Sequence, residues 1–348
     1  MYQYNYLAED NRLLRLSNIG DPLEKVSGAI DFEMFRPLLD AVFQRESAGP
    51  GGRPPWDHVM MFKILLLQQW YGMADDRTEF QINDRLSFQR FLGLSLGDKV
   101  PDAKTIWLFR ENLTKAGAVA GLFELFERLM EDMGVITRRG SIVDATFVDA
   151  PRQRNTHEEN KQIKEGKGGD LWSDDENKSR QKDKDARWTK KNDETHYGYK
   201  NHVKVDLDSK MVVDYEVTDA SVHDSQEIAG LIDGDDKELW ADSGYSGQPV
   251  EESCKEKNPD VVLHIIEKGY RNKPLTDAQI ESNREKSIPR VRVEHVFGHM
   301  TNSFGGIFVR GIGSARARAQ IGLKNLAYNL RRYETLVRLK KIPLPCQG

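Results

Sequence analysis

The most constraining feature of this chain is an acid inside a strand. Residues 141–149, SIVDATFVD, alternate so that Ile142, Asp144, Thr146 and Val148 share one face and Val143, Ala145 and Phe147 the other. A run this apolar belongs to a core, where a carboxylate is unexpected. Asp144 is therefore either a functional group or an edge-strand acid turned to solvent.

Before this run the pattern is helical. Residues 31–44 form a plausible first amphipathic helix, followed by a breaker run over 47–55. Residues 56–71 are strongly apolar and too long for an ordinary strand, which predicts a buried helix stopped by Gly72. Two short helices are expected within 75–91. Another is expected over 105–116, after a start signal at Pro101 and Asp102, and a last one over 121–132 with Leu122, Leu125, Phe126 and Leu129 at core spacing. Such a set of short helices is a helix-turn-helix DNA reader or a dimerisation module, and no recognition helix is legible in it.

After the strand the pattern is interrupted. Residues 151–195 hold 12 Lys+Arg and 11 Asp+Glu with few large apolar side chains, so they cannot build a core alone and read as a flexible or partly ordered insertion. Within it, Trp172 and Trp188 either anchor the segment or stack on bases. Strand signals return at 196–206 and 211–218, joined by a turn at 208–210. A helix is expected over 222–232, a short strand over 237–242, a tight loop between Gly244 and Gly247, a helix over 249–257 and a strand over 261–266. Two further helices cover 288–300 and 314–338. This order makes a mixed sheet with helices on its faces, compatible with a ribonuclease-H-like α/β core, while periodicity alone leaves other α/β and α+β folds open.

At 348 residues, 38% hydrophobic and 30% charged, the chain has the composition of a globular protein. Its net charge of -4 conceals an asymmetry: from Lys268 onward there are 16 Lys+Arg against 5 Asp+Glu. A basic final third beside an acidic remainder fits a protein that holds a polyanion with one part and metal ions with another. The apolar stretch 59–67 is broken by Lys63 and too short to span a bilayer, and MYQYNYLAED carries no readable secretory signal, so a cytoplasmic location is expected and no membrane partner. Cys254 and Cys346 imply neither a metal-ligand cluster nor a disulfide framework.

Two more acids stand out. Asp242 closes the strand expected at 237–242, just before a glycine turn, where open sheets carry ligand sites. Glu294 lies on a helix with Arg290 at i−4 and among Val291, Val293, Val296 and Phe297. Carboxylates from three separate elements can converge on two divalent cations, and oxygen ligands suit Mg²⁺, with in-line displacement at phosphorus as the chemistry. Spacing does not compel the choice, because the chain contains 55 acids. Lys200, His202 and Lys204 share one strand face, a phosphate-binding stripe or a solvated one. His223 with Asp224 is an auxiliary phosphate contact or a helix cap. Arg290 and Arg292 diverge on the helix, which favours Arg290 as the one beside Glu294. Arg316, Arg318, Lys324, Arg331, Arg332, Arg338, Lys340 and Lys341 together suggest contacts to DNA phosphates, though each alone reads equally as a solvated position.

Ordered blocks carry more information than the lone acids. SIVDAT around Asp144, THYGYKNHVK from Thr195 to Lys204, VTDASVHD ending at Asp224, ADSGY around Asp242 and RVRVEHVFG around Glu294 resemble successive blocks of the bacterial DDE transposases of the insertion-sequence-five family. The runs 62–72 and 88–93 resemble that family's N-terminal helical region. The resemblance covers nearly the whole chain. It implies a ribonuclease-H-like catalytic domain with Asp144, Asp242 and Glu294 as catalytic, metal-holding acids, and Mg²⁺ as the cofactor with Mn²⁺ as a substitute. It also implies double-stranded DNA as the partner, in the form of terminal inverted repeats and target DNA. Arg290 matches the arginine of the tyrosine-arginine-glutamate-lysine signature, while Ser287 stands at the tyrosine position and Thr301 at the lysine position; Arg292, His295 or a C-terminal base could serve instead. The expected organisation is a helical DNA-binding or dimerisation domain over 1–137 and a catalytic domain over 138–348, with the insertion at 151–195 and a basic helical tail at 314–341. The expected activity is cleavage at transposon ends and joining of 3′-hydroxyls to target DNA, by a homodimer or larger assembly on the bacterial nucleoid. A metal-dependent nuclease without strand transfer and a non-enzymatic DNA-binding derivative are the alternatives.

Overall fold

A computed structural model describes residues 6–44, 55–191 and 193–342. The breaker run over 47–54 and Cys346 lie outside the described residues. The chain divides into two compact units, Met1–Leu125 with Leu326–Gly348, and Phe126–Asn325.

The first unit is helical: α1 (Tyr6–Ile19), α2 (Pro22–Ala29), α3 (Arg36–Phe43), α4 (His58–Tyr71), α5 (Asp75–Asp84), α6 (Leu86–Leu92), α7 (Ala103–Lys115) and the start of α8 (Ala118–Asp132). The apolar run forms α4, with Asp57 capping it by accepting from the Met60 N–H and Gly72 closing it at a φ of 59°. Most of its side chains are buried, as an all-round apolar helix requires. The expected helix over 31–44 is broken. Asp31 caps a 3₁₀ turn, Phe32–Phe35, and Pro37 opens α3, because a proline suits a first helical turn and disrupts an interior. Two helices precede it that the sequence pattern does not separate.

The second unit is built on β1 (Ser141–Asp149), followed by α9 (His157–Lys164), α10 (Glu176–Gln181), β2 (Arg187–Lys191), β3 (Glu194–Asp206), β4 (Val212–Asp219), β5 (Glu238–Ala241), α11 (Gln248–Lys257), β6 (Val262–Ile265), α12 (Asp277–Ser303) and the first half of α13 (Ser314–Arg338), whose second half belongs to the first unit. The described residues form one six-stranded sheet in the order β2-β3-β1-β5-β6, with β4 also on β3. β1 runs antiparallel to β3 and parallel to β5. Helices before, between and after these strands give the ribonuclease-H-like core with helical extensions. Gly198 on β3 has to be glycine: at φ 149°, a Cβ there would lie 2.3 Å from the Val148 carbonyl oxygen of β1.

Three expectations change here. The helix over 222–232 is two 3₁₀ turns, Asp224–Gln226 and Ile228–Leu231, because Lys200 grips both the Val222 carbonyl and the Asp224 carboxylate and pins the chain at the start. The helix over 288–300 begins eleven residues earlier, at a Thr276–Gln279 capping box, and runs through Pro289, which has no N–H to give to the carbonyl of the exposed Glu285. The insertion holds α9, α10 and β2. Trp172 organises it, 8% exposed, with its indole N–H on Glu159 and three lysine ammoniums over its ring.

Candidate active site

Sheet register brings two of the acids together. Val143 of β1 pairs with Ala241 of β5 in parallel, so the next residue of each, Asp144 and Asp242, are neighbours where β5 ends. The strand ends there because Asp242 turns out of it as the cap of a 3₁₀ turn, its Oδ1 accepting from the Ser243 N–H at 2.6 Å. α12 approaches the same place. Arg290 lies 3.2 Å from Asp144 Oδ2 through Nη1 and 3.4 Å from Glu294 Oε1 through Nη2, spanning a strand and its own next helical turn. Asp144 Oδ1 accepts from the Ala145 N–H at 2.8 Å.

The charges are incompletely balanced. Burial pushes the Asp144 carboxyl up to about 6; the Ala145 N–H and Arg290 oppose that, and Asp242 adds to it. Tyr245, at the end of the turn that Asp242 starts, is 1% exposed, and its hydroxyl has no hydrogen-bond partner. Burial raises its pKa, and Asp144, Asp224 and Asp242 raise it further. Asp224, which also acts on Tyr245, is held by Lys200 at 2.8 Å and faced by Lys191 at 3.8 Å.

A hard divalent cation fits part of this donor set. Asp144 and Asp242 offer carboxylate oxygens side by side, and a positive ion would favour the ionised Asp144 that burial disfavours. Glu294 is turned toward Arg290 with its side chain 59% exposed. Among the described residues, no group of three or more His, Cys, Asp or Glu is gathered so as to hold one ion.

The expected phosphate stripe on β3 is corrected by the structure. Lys200, His202 and Lys204 do share a face, but that face is covered: Lys204 is fully buried against Asp233 and Asp236, His202 is fully buried on Thr218, and Lys200 serves Asp224. Buried and paired cations cannot reach a phosphate. Burial also lowers the His202 pKa to about 4, so the ring is neutral. The basic tail is corrected in the same way over its middle. Residues 321–330 of α13 are all buried, Lys324 donates to the Phe304 carbonyl, and burial brings that lysine down to about 8. Arg332 is partly covered, and Arg331 donates to the Pro22 carbonyl over the Trp70 ring. Arg316, Arg318, Arg338, Lys340 and Lys341 are exposed; Arg318 pairs with Glu216 at 3.3 Å.

Arg292 points to the Leu207 carbonyl, away from Glu294. His295 is exposed on α12, and His223 acts as a cap, its Nδ1 2.7 Å from Ser225 Oγ. Lys191 does not stand out in the sequence, and Tyr245 stands there in the glycine-bracketed loop and the ADSGY block without a role of its own.

Two families of known proteins match the chain. Residues 136–330 match the family described as Transposase DDE domain, and residues 11–112 match the family described as Transposase domain (DUF772). Among solved structures, a cryo-EM structure of a piggyBac transposase synaptic complex with hairpin DNA is similar at a TM-score of 0.43 and 12% identity, over 95% of this chain and 78% of that one. With more than half of its length inside the first of the family matches, the chain belongs to the DDE transposase domain family.

Proposed function

We propose that this protein is a DNA transposase of the insertion-sequence-five type, which cuts phosphodiester bonds at terminal inverted repeats and joins the 3′-hydroxyls to target DNA. The observation that carries the reading is the register that sets Asp144 beside Asp242, with Arg290 reaching Asp144 from the helix of Glu294. Asp144 and Asp242, joined by Glu294, would hold Mg²⁺ or Mn²⁺, and two such ions would activate an attacking water or 3′-hydroxyl and stabilise the leaving 3′-oxygen.

The chain's own groups prepare the site. β1 fixes Asp144 within the sheet, and Asp242 follows directly on the last paired residue of β5, so the core sets where both carboxylates stand. Arg290 presents a planar fork of donors that suits a phosphate, and Asp144 and Glu294 hold it in place until DNA arrives. Lys200 keeps Asp224 at the edge of the cluster. The helical residues 1–137 bind or bring together DNA ends, residues 138–348 carry the chemistry, and two ends require a homodimer or larger assembly.

The test is Mg²⁺-dependent cleavage and joining of a labelled duplex carrying the gene's flanking end sequence. Wild type should give cut and joined products, and Glu294→Gln neither, with a loss of roughly 100-fold or more. Cutting without joining would make the protein a nuclease; equal products from both would remove Glu294 from the site.

A further inference from the structure

Tyr245 carries a hydroxyl at a place where the fold asks only for a ring. It ends the 3₁₀ turn that Asp242 opens, and its N–H donates to the Asp242 carbonyl at 3.0 Å. Its ring is buried in the core cluster that holds Val143 and Ala241, the paired residues that precede Asp144 and Asp242. The side chain is 1% exposed, and its hydroxyl finds no hydrogen-bond partner. Phenylalanine would fill nearly the same space and avoid the cost of a buried, unpaired hydroxyl. Packing alone therefore does not account for the tyrosine.

The groups that act on this hydroxyl are mostly carboxylates. Burial raises the Tyr245 pKa first, and of the charges Asp144 raises it most, ahead of Asp224 and Asp242. The phenol thus stays protonated and has a hydrogen to give. Asp144 has room to accept it. A carboxylate offers about four lone-pair positions. Among the described residues, the donors on Asp144 are the Ala145 N–H at Oδ1 and Arg290 at Oδ2. Arg290 is the one least suited to stay, because a divalent cation at Asp144 repels the guanidinium and a DNA phosphate attracts it. Once Arg290 leaves, Asp144 needs another donor, and a neutral one orients the carboxylate without opposing the cation.

We propose that Tyr245 is a positioning residue for the cation site, its hydroxyl donating to the Asp144 carboxylate when Arg290 turns away to phosphate or is displaced by the cation. The proposal rests on the reading of Asp144 and Asp242 as cation ligands given above. No proton is transferred: the hydrogen stays on the phenol oxygen, and the carboxylate keeps its charge for the cation. In the metal-free protein the same hydroxyl is unpaired and lowers stability. Its two effects therefore have opposite signs, whereas a hydroxyl that served the fold would stabilise the metal-free protein as well.

The experiment compares wild type, Tyr245→Phe, Cys254→Ala and Asp144→Asn in two measurements: urea unfolding without metal, and Mn²⁺ titration read from the electron paramagnetic resonance of the free ion. Tyr245→Phe should raise the urea midpoint and weaken Mn²⁺ binding about tenfold. Cys254→Ala alters the same core cluster and leaves the hydroxyl in place. It should lower the midpoint and change Mn²⁺ affinity less than about twofold. Asp144→Asn should remove most of the Mn²⁺ binding. Equal Mn²⁺ affinity of wild type and Tyr245→Phe overturns the proposal and leaves the cation site standing. A midpoint that fails to rise in Tyr245→Phe also overturns it, because the hydroxyl then serves the fold. So does an equal loss of Mn²⁺ affinity in Cys254→Ala, which would trace the effect to packing. Unchanged Mn²⁺ binding by Asp144→Asn, or none by wild type, overturns the cation site and the proposal with it.

Discussion

Two charged clusters share the long strand β3 and differ in how completely they are paired. In one, Lys204 is fully buried between Asp233 and Asp236, and Arg138 adds ion pairs to Asp233, Glu127 and Glu131. Burial alone would raise Asp233, yet Lys204 and Arg138 bring it below the usual carboxylate range. In the other, Asp144 of β1, opposite the neighbouring Val203, is pushed up to about 6, Asp242 stands beside it, and the Tyr245 hydroxyl has no partner. The first cluster is a completed structural network; the second holds charge that its surroundings do not satisfy. A raised carboxylate is not enough to mark the difference, since burial also pushes Asp214, opposite Lys204, up to about 6. What sets the Asp144 cluster apart is a second carboxylate at a strand end and an arginine shared with a neighbouring helix.

The largest effect should come from breaking the completed network. Lys204→Met leaves Asp236 buried without its cation and should cost about 3–5 kcal/mol, read as a lower urea midpoint. A cost below about 1 kcal/mol would end the contrast between the clusters. The second prediction has the opposite sign. Asp144 ionises less readily folded than unfolded, so its charge lowers stability increasingly as pH rises from about 4 to about 6, and fully above that. Asp144→Asn should therefore stabilise the metal-free protein by about 1–3 kcal/mol at pH 8 and by nothing near pH 3.5. Equal stability of the two proteins at pH 8 would mean that Arg290 already balances the site. The smallest effect belongs to the exposed Arg318–Glu216 pair, where Arg318→Ala should change stability by less than about 0.5 kcal/mol, measured in the same urea titration.

The elements with a periodic signal are legible in the sequence. Residues 141–149 mark β1 at its observed bounds, 314–338 mark α13, and 56–71 mark α4 to within two residues. In each, one pattern of apolar spacing runs unbroken between capping or breaking residues. The failures fall where a distant partner overrides the local pattern. Lys200 converts an expected helix into two tight turns, Pro289 sits inside a helix whose capping box lies thirteen residues earlier, and Trp172 gives order to a segment whose composition argues against it.

By itself, the sequence determined which residues alternate, where helices are capped, and which acids stand in apolar surroundings, because these depend on neighbours within a few positions. The tertiary structure alone decided which of those charges are spent on the core. Lys200, His202 and Lys204 have the same spacing as a phosphate stripe, yet the face they share is covered by residues 218–236, and Lys324 on the basic helix is enclosed likewise. Periodicity tells which side chains point together. Whether that direction leads to solvent, to a carboxylate or to a cleft depends on segments tens of residues away, and burial and ion pairing are set only when the sheet brings those segments into place.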